Sequence, residues 1–156
     1  MSVRPIVKWG TPVLHAPARP VEEVDDAIRG LLRDMLDTMY AAPGIGLAAP
    51  QIGVPLRVIV VDLSVGADPG QLIQLVNPVF LVREGEQKHE EGCLSVPGYG
   101  GTPRRPARVV VQGLDPRDSW DRYFRVEGEA TDQRTVRATI AWILSLIHIS
   151  EPTRPY

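Results

Sequence analysis

The sequence has few of the residues that cross-link secreted proteins or bind soft metals. It contains one cysteine, Cys93, and three histidines, His15, His89 and His148. A single cysteine excludes an internal disulfide framework, and so few scattered ligands argue against a metal enzyme. No run approaches the roughly 20 apolar residues of a membrane-spanning helix. We therefore predict a cytoplasmic protein with no membrane segment.

The sequence also lacks a large excess of charge of either sign. The 17 basic and 19 acidic residues give a formal net charge of −2, and neither sign forms a long block. Proteins that bind phosphate backbones carry a basic face, so we predict no specific nucleic-acid site. The first ten residues include Pro5, Lys8 and Gly10, which interrupt any apolar run and argue against a secretory signal.

What is present suffices for one globular domain, because 156 residues, 44% of them apolar, can bury a continuous core. Apolar residues between Ile28 and Met39 recur every three or four positions, which predicts an amphipathic helix. Asp25 and Asp26 favour the positive end of its dipole, and Pro43–Gly44 ends it.

Segments rich in β-branched residues follow the helix and are typical of strands. They are Leu56–Leu63, Leu72–Val82 with a break at Asn77–Pro78, Arg108–Leu114 and Tyr123–Val126, with a loop or irregular strand at Gly92–Gly101. One early helix followed by several short strands predicts an α+β fold. The spacing of apolar residues from Val136 to Ile147 permits a second amphipathic helix.

The residues suited to catalysis or ligand binding lie in two segments, Gly44–Gln51 (GIGLAAPQ) and Glu91–Ser95 (EGCLS). Small residues in the first let its backbone lie close to a strand or an extended ligand, and Gln51 adds an amide donor. In the second, the Cys93 thiol is a potential metal ligand, and the Leu94 backbone N–H beside it can help to stabilise an oxyanion.

Taken singly, these features have ordinary structural explanations. A lone cysteine is usually a small buried apolar residue. A Gly-x-Gly after a helix is usually a turn, and this one lacks the preceding strand of a dinucleotide site. A glutamine after a proline, as at Gln51, is usually solvated. Residue by residue, the sequence leaves the site undecided.

In this order, however, the two segments resemble the peptide deformylase family. Gly44–Gln51 is similar to its Gly-x-Gly-x-Ala-Ala-x-Gln motif, and Glu91–Ser95 is similar to its Glu-Gly-Cys-x-Ser motif. The resemblance implies an α+β fold of short antiparallel strands around a helix, with a C-terminal metal-binding helix. It also implies metal-dependent hydrolysis of the formyl group from the formylmethionine of nascent chains at the ribosome.

The same resemblance implies roles for individual residues. Cys93 is expected to be a metal ligand, with Fe(II) the usual metal and Zn or Ni able to substitute. Gln51 and the backbone N–H of Leu94 are expected to hold the formyl oxygen as it becomes an oxyanion. The substrate main chain is expected to pair, as an added strand, with the backbone of Gly44, Ile45 and Gly46.

The family takes two further ligands and a general base from a His-Glu-x-x-His helix, and this sequence has no such motif. Where that motif is expected, the chain reads QRTVRATIAW over residues 133–142. A loose alignment puts Ala138 and Trp142 at the histidine positions and Thr139 at the glutamate. None of the three histidines is expected to be a ligand.

The loop after the second motif also departs from the family. Gly100 and Gly101 stand where several relatives carry a basic residue, which leaves substrate contacts from this loop in doubt. Arg104 and Arg105 are available instead as charge partners for Glu91, although exposed arginines are more often solvated. A redox role for the thiol is disfavoured, because no second cysteine can resolve an oxidised one.

We interpret residues 1–143 as a single peptide deformylase-like domain, incomplete at its C-terminus. Residues 144–156 resemble the in-frame translation of a sequencing-library adapter and are interpreted as a non-native tail. The prediction is a truncated deformylase with little or no activity. The alternative, which requires the tail to be genuine, is a non-catalytic deformylase-like module that binds peptide N-termini.

Overall fold

The computed structural model describes residues 2–88 and 90–117 and the backbone of 123–127. The predicted helix, α1, spans Asp26–Ala41. Asp25 caps it, since its Oδ1 accepts a hydrogen bond of 2.9 Å from the N–H of Ile28. At the other end, the N–H of Ala42 donates to the Thr38 carbonyl just before Pro43–Gly44. Both predicted helix ends are therefore confirmed.

The apolar face of α1 packs into the core as its spacing predicts. Met35 and Met39 are completely buried, and Ile28 is 8% exposed. This face contacts the strands that follow it, where Leu47 and Val58 belong to the same core cluster. Burying apolar surface is the dominant favourable term in folding, so this contact ties the helix to the sheet.

Nine strands lie in the described part of the chain. In order they are β1 (Gly46–Ala48), β2 (Val58–Val61), β3 (Ile73–Glu84), β4 (Gln87–Lys88), β5 (Glu91–Cys93), β6 (Val96–Gly101), β7 (Arg104–Arg105), β8 (Arg108–Leu114) and β9 (Tyr123–Glu127). They form an antiparallel sheet in the order β1-β2-β3-β8-β9 and the two-stranded pairs β4-β7 and β5-β6. This confirms the predicted α+β class and the strand prediction for Arg108–Leu114.

The predicted break at Asn77–Pro78 is an irregularity within one strand, since β3 runs through it and its pairing with β8 is interrupted there. Asn77 takes a left-handed conformation with φ of 52°, and the register with β8 shifts between Val76 and Val79. Both groups of the Asn77 carboxamide bond to the backbone of Val21 at 2.7 Å. Asparagine tolerates this conformation, and a bulge tolerates the missing N–H of proline.

The segment Gly92–Gly101 adopts the strand alternative. With Glu91 it forms the hairpin of β5 and β6, in which Cys93 pairs with Val96. The predicted second helix, Val136–Ile147, and the predicted tail at 144–156 lie outside the described residues. Within the described residues, no helix is long and apolar enough to cross a membrane.

A buried carboxylate holds the end of β2 against the end of α1. Asp62 is 1% exposed. Its Oδ2 accepts hydrogen bonds from the Tyr40 hydroxyl at 2.7 Å and the Gly66 N–H at 2.9 Å. Its Oδ1 accepts from the N–H and the hydroxyl of Ser64, at 2.8 and 2.6 Å. The loop after β2 is therefore closed around one charge.

These contacts set the ionisation of both partners. Burial opposes ionisation of Asp62, but the hydrogen bonds from Ser64, Tyr40 and Gly66 outweigh it, so its pKa is lowered. Burial, with the hydrogen bond to the Asp62 carboxylate and its charge, raises the pKa of Tyr40 to about 12. At neutral pH the phenol therefore donates to a carboxylate.

Replacing Tyr40 with phenylalanine tests this network, because it removes one hydrogen bond to a charged acceptor. We expect the free energy of unfolding at neutral pH to fall by about 1.5 to 3 kcal/mol. The lowered pKa of Asp62 means that its network stabilises the fold above the unfolded-state pKa of roughly 3.9. That contribution is lost as pH falls through the folded-state pKa. Urea unfolding should therefore show a Tyr40→Phe deficit that shrinks in acid.

The matched control is Tyr99→Phe, since the Tyr99 side chain is 77% exposed. We expect this variant to unfold like the wild type at every pH. A Tyr40→Phe deficit that stays constant after the Asp62 carboxyl has become protonated, as followed by its 13C NMR signal, would contradict the interpretation. In that case the lost stability would come from packing of the phenol rather than from the Asp62 charge.

Candidate active site

The two sequence motifs meet through one side-chain hydrogen bond. Gln51 lies in a short 3-10 turn, Ala49–Ile52, directly after β1. Its Oε1 accepts from the Ala48 N–H at 3.0 Å, and its Nε2 donates to the Ser95 hydroxyl at 3.3 Å. Gln51 has no exposed surface and Ser95 is 1% exposed, so the expectation of a solvated glutamine is wrong. The carboxamide is a buried link between the motifs.

The N-terminal segment supports this link from the backbone. The N–H of Val7 donates to the Gln51 carbonyl at 2.9 Å, and the N–H of Trp9 donates to the Ser95 carbonyl at 2.9 Å. Three consecutive residues thus span both motifs. Sequence reasoning missed this support, because a backbone hydrogen bond requires no particular side chain and leaves no pattern in the sequence.

β1 is an edge strand with one side bonded to β2. The N–H of Asp62 donates to the Ile45 carbonyl at 2.9 Å, and Gly46 lies opposite Val61 in the register. Bonded and non-bonded pairs alternate in an antiparallel ladder, so the N–H and C=O of Gly46 point away from β2. The next outward N–H, that of Ala48, is already bonded to Gln51. Among the described residues, nothing bonds to the outward N–H and C=O of Gly46, which are therefore the groups of this edge that a ligand can reach.

Gly44 packs against Leu94 of the second motif. Its N–H donates to the Met39 carbonyl at 2.9 Å, so it follows directly on the last turn of α1. A Cβ added at Gly44 would lie 2.8 Å from Cδ1 of Leu94, closer than ordinary contact allows. A larger residue at this position would have to move the end of the Leu94 side chain.

Cys93 ends β5 and is partly exposed. It borders an open groove of about 460 Å³, whose walls include Glu91, Gly92, Tyr99, Gly100 and Arg105. The thiol is therefore accessible from the groove rather than sealed in the core. This placement differs from the usual buried position of a lone cysteine.

An ion pair holds the hairpin that carries Cys93. Arg105 Nη2 lies 3.0 Å from Glu91 Oε2, and Arg105 Nε lies 3.3 Å from both carboxylate oxygens. The two side chains are only 19% and 14% exposed. Arg104 instead pairs with Glu86 on the surface, at 3.6 Å. The predicted charge partner of Glu91 is therefore Arg105 and not Arg104.

The described residues do not by themselves supply the ligand set that the motifs imply. Among the described residues, no three His, Cys, Asp or Glu side chains converge on a point where they could hold an ion. His15 is engaged elsewhere, because its Nε2 accepts from the Gly10 N–H at 3.2 Å and its ring contacts Trp9. His89 and His148 lie outside the described residues. Within the described part of the chain, Cys93 is therefore a single thiol candidate, and one thiolate does not make a catalytic metal site.

Comparison with known proteins places the chain in a family. The polypeptide deformylase model matches residues 3–131. A peptide deformylase of Acidobacterium capsulatum is 46% identical over 129 residues, which cover 83% of this chain and 74% of that protein. A peptide deformylase of Desulfitobacterium hafniense is 40% identical over 151 residues, which cover 97% of this chain and 95% of that protein.

Among solved structures, a peptide deformylase from Legionella pneumophila superimposes with a TM-score of 0.84 at 36% identity. The match covers 97% of this chain and 88% of that one. The deformylase-like fold predicted from the two motifs is confirmed by this agreement. This chain belongs to the polypeptide deformylase family.

Proposed function

We propose that this chain binds the formylated N-terminus of a peptide and that it hydrolyses the formyl group slowly or not at all. Peptide deformylases are hydrolases that remove formyl groups from nascent polypeptides, and this chain is a member of their family. The observation that carries the proposal is that the Gln51 carboxamide, next to the β1 edge, is bonded to the motif that contains Cys93, while no cluster of metal ligands is found among the described residues. The ligands named by the proposal are N-formylmethionyl peptides, the products of ribosomal initiation.

The outward groups of Gly46 support binding of a peptide main chain. An extended peptide that adds to β1 would exchange hydrogen bonds with the N–H and C=O of Gly46 and would run past Gly44 and Ile45, whose N–H and C=O, respectively, are already bonded to Met39 and Asp62. Main-chain pairing of this kind gives affinity that tolerates different side chains. Such tolerance suits a protein whose ligands share an N-terminus and little else.

The orientation of Gln51 supports recognition of the formyl oxygen. Its Oε1 faces and accepts from the Ala48 N–H, so Nε2 lies on the opposite side of the carboxamide and can donate a proton to a ligand there. A formyl oxygen can accept a hydrogen bond from Nε2. The ammonium group of an unformylated N-terminus has no lone pair and cannot accept one. We propose that Gln51 and the Leu94 N–H hold this oxygen and thereby favour the formylated peptide.

The lack of a His-Glu-x-x-His motif supports the proposal that hydrolysis is slow or absent. Hydrolysis of a formamide needs an activated water and a group that takes its proton. The whole sequence has no His-Glu-x-x-His motif, and Cys93 alone does not hold Fe(II) in a catalytic site. Binding and hydrolysis are therefore separable here, because they depend on different residues.

An activity assay tests this division. The purified chain, supplied with Fe(II) or with Ni(II), should release formate from a formyl-Met peptide no faster than a blank containing the metal alone. The deformylase of Desulfitobacterium hafniense, prepared in parallel, is the positive control. Turnover within about tenfold of that enzyme would overturn the proposal, because it would require ligands and a base that the motifs do not supply.

Backbone methylation of the peptide tests the added strand without altering the protein. Successive N–H groups of an extended peptide point to opposite sides, so only alternate ones face β1. In calorimetric titrations of a formyl-Met tripeptide, we expect N-methylation of one residue to weaken binding about tenfold. Methylation of its neighbour is the matched control and should have little effect. Equal losses at both positions would contradict pairing with Gly46.

A further inference from the structure

We infer that Ser95 is a positioning residue for Gln51, and this inference rests on the proposed function. Ser95 is 1% exposed, and its Oγ accepts a hydrogen bond of 3.3 Å from Gln51 Nε2. It aligns the carboxamide so that the second Nε2 proton is directed at the formyl oxygen. Ser95 acts through Gln51 and does not itself contact the ligand.

Two opposite anchors fix the carboxamide. The Ala48 backbone N–H can only donate, so Oε1 must face it and Nε2 must face away. The terminal torsion of a glutamine is otherwise broad, and one anchor leaves it free to tilt. With Ser95 as the second anchor, one Nε2 proton is used and the direction of the other is set.

The second Nε2 proton is the reason to invoke a ligand. No acceptor for it is found among the described residues, although Gln51 has no exposed surface. An unpaired buried donor is unfavourable, and an oxygen brought by a ligand would satisfy it. This unsatisfied proton lies in the turn that directly follows the β1 edge, where the peptide is proposed to bind.

The backbone on both sides of the link is held independently. The Val7 N–H bonds to the Gln51 carbonyl, and the Trp9 N–H bonds to the Ser95 carbonyl. Removing the Ser95 hydroxyl therefore leaves the main chain supported while it frees the carboxamide. This separation makes a side-chain substitution informative.

Side-chain amide NMR tests the link directly. In the full chain labelled with 15N, the Gln51 Nε2 signals are assigned by their loss in Gln51→Glu. In Ser95→Ala, the bonded proton should shift and exchange with solvent about tenfold faster. Ser64→Ala removes a serine hydroxyl from the Asp62 loop and is the matched control, with no change expected at Gln51. An unchanged Gln51 pair in folded Ser95→Ala would overturn the inference.

Peptide selectivity tests its consequence. Calorimetry with a formyl-Met peptide and the same peptide without the formyl group gives the preference for formylation. Ser95→Ala should lower that preference about fivefold and leave affinity for the unformylated peptide unchanged, and Ser95→Thr should restore it. Equal weakening of both peptides would overturn the positioning role.

The two measurements separate failure of the inference from failure of the proposed function. A wild-type chain that shows no preference for the formylated peptide refutes the proposed function. The NMR result for Ser95→Ala is independent of any peptide, so it still decides whether Ser95 holds Gln51.

Discussion

The rest of the site depends on the hydrogen bonds made by the buried carboxamide of Gln51. The end of β1 and the turn of the β5-β6 hairpin bond to this carboxamide, and the N-terminal segment bonds through Val7 to the main-chain carbonyl of the same residue. Burying a polar group is unfavourable unless its hydrogen bonds are made, so these pieces have to arrive together. One side chain thereby specifies how two distant motifs are arranged.

The elements that could be predicted from the sequence are those governed by local rules. The bounds of α1 follow from Asp25, the apolar spacing and Pro43, all within or beside the helix. β8 follows in the same way from its run of valines. In contrast, β3 continues through Asn77 because that side chain bonds to Val21, 56 residues earlier. A contact at that distance cannot be inferred from the residues around a predicted break.

The same difference between local patterns and contacts between distant residues applies to the site. Its composition was recognisable, since the glycines, Gln51 and Cys93 form motifs that resemble a known family. Its geometry was not, because the burial of Gln51 depends on Ser95 and on backbone groups of the N-terminal segment. Hydrogen bonds from main-chain N–H groups connect residues without constraining their type. A sequence can therefore reveal which residues belong to a site while leaving their supports hidden.

The bond from Trp9 to Ser95 has a consequence for the order in which the molecule is completed. A chain is synthesised from its N-terminus, so the residues near Trp9 emerge long before the acceptor to which they bond. Closing so long a loop has an entropic cost, which makes such contacts slow relative to helix formation. α1 can form early from its own sequence, whereas the bond from Trp9 must wait for the second motif. Trp9 is synthesised early but gains this bond late.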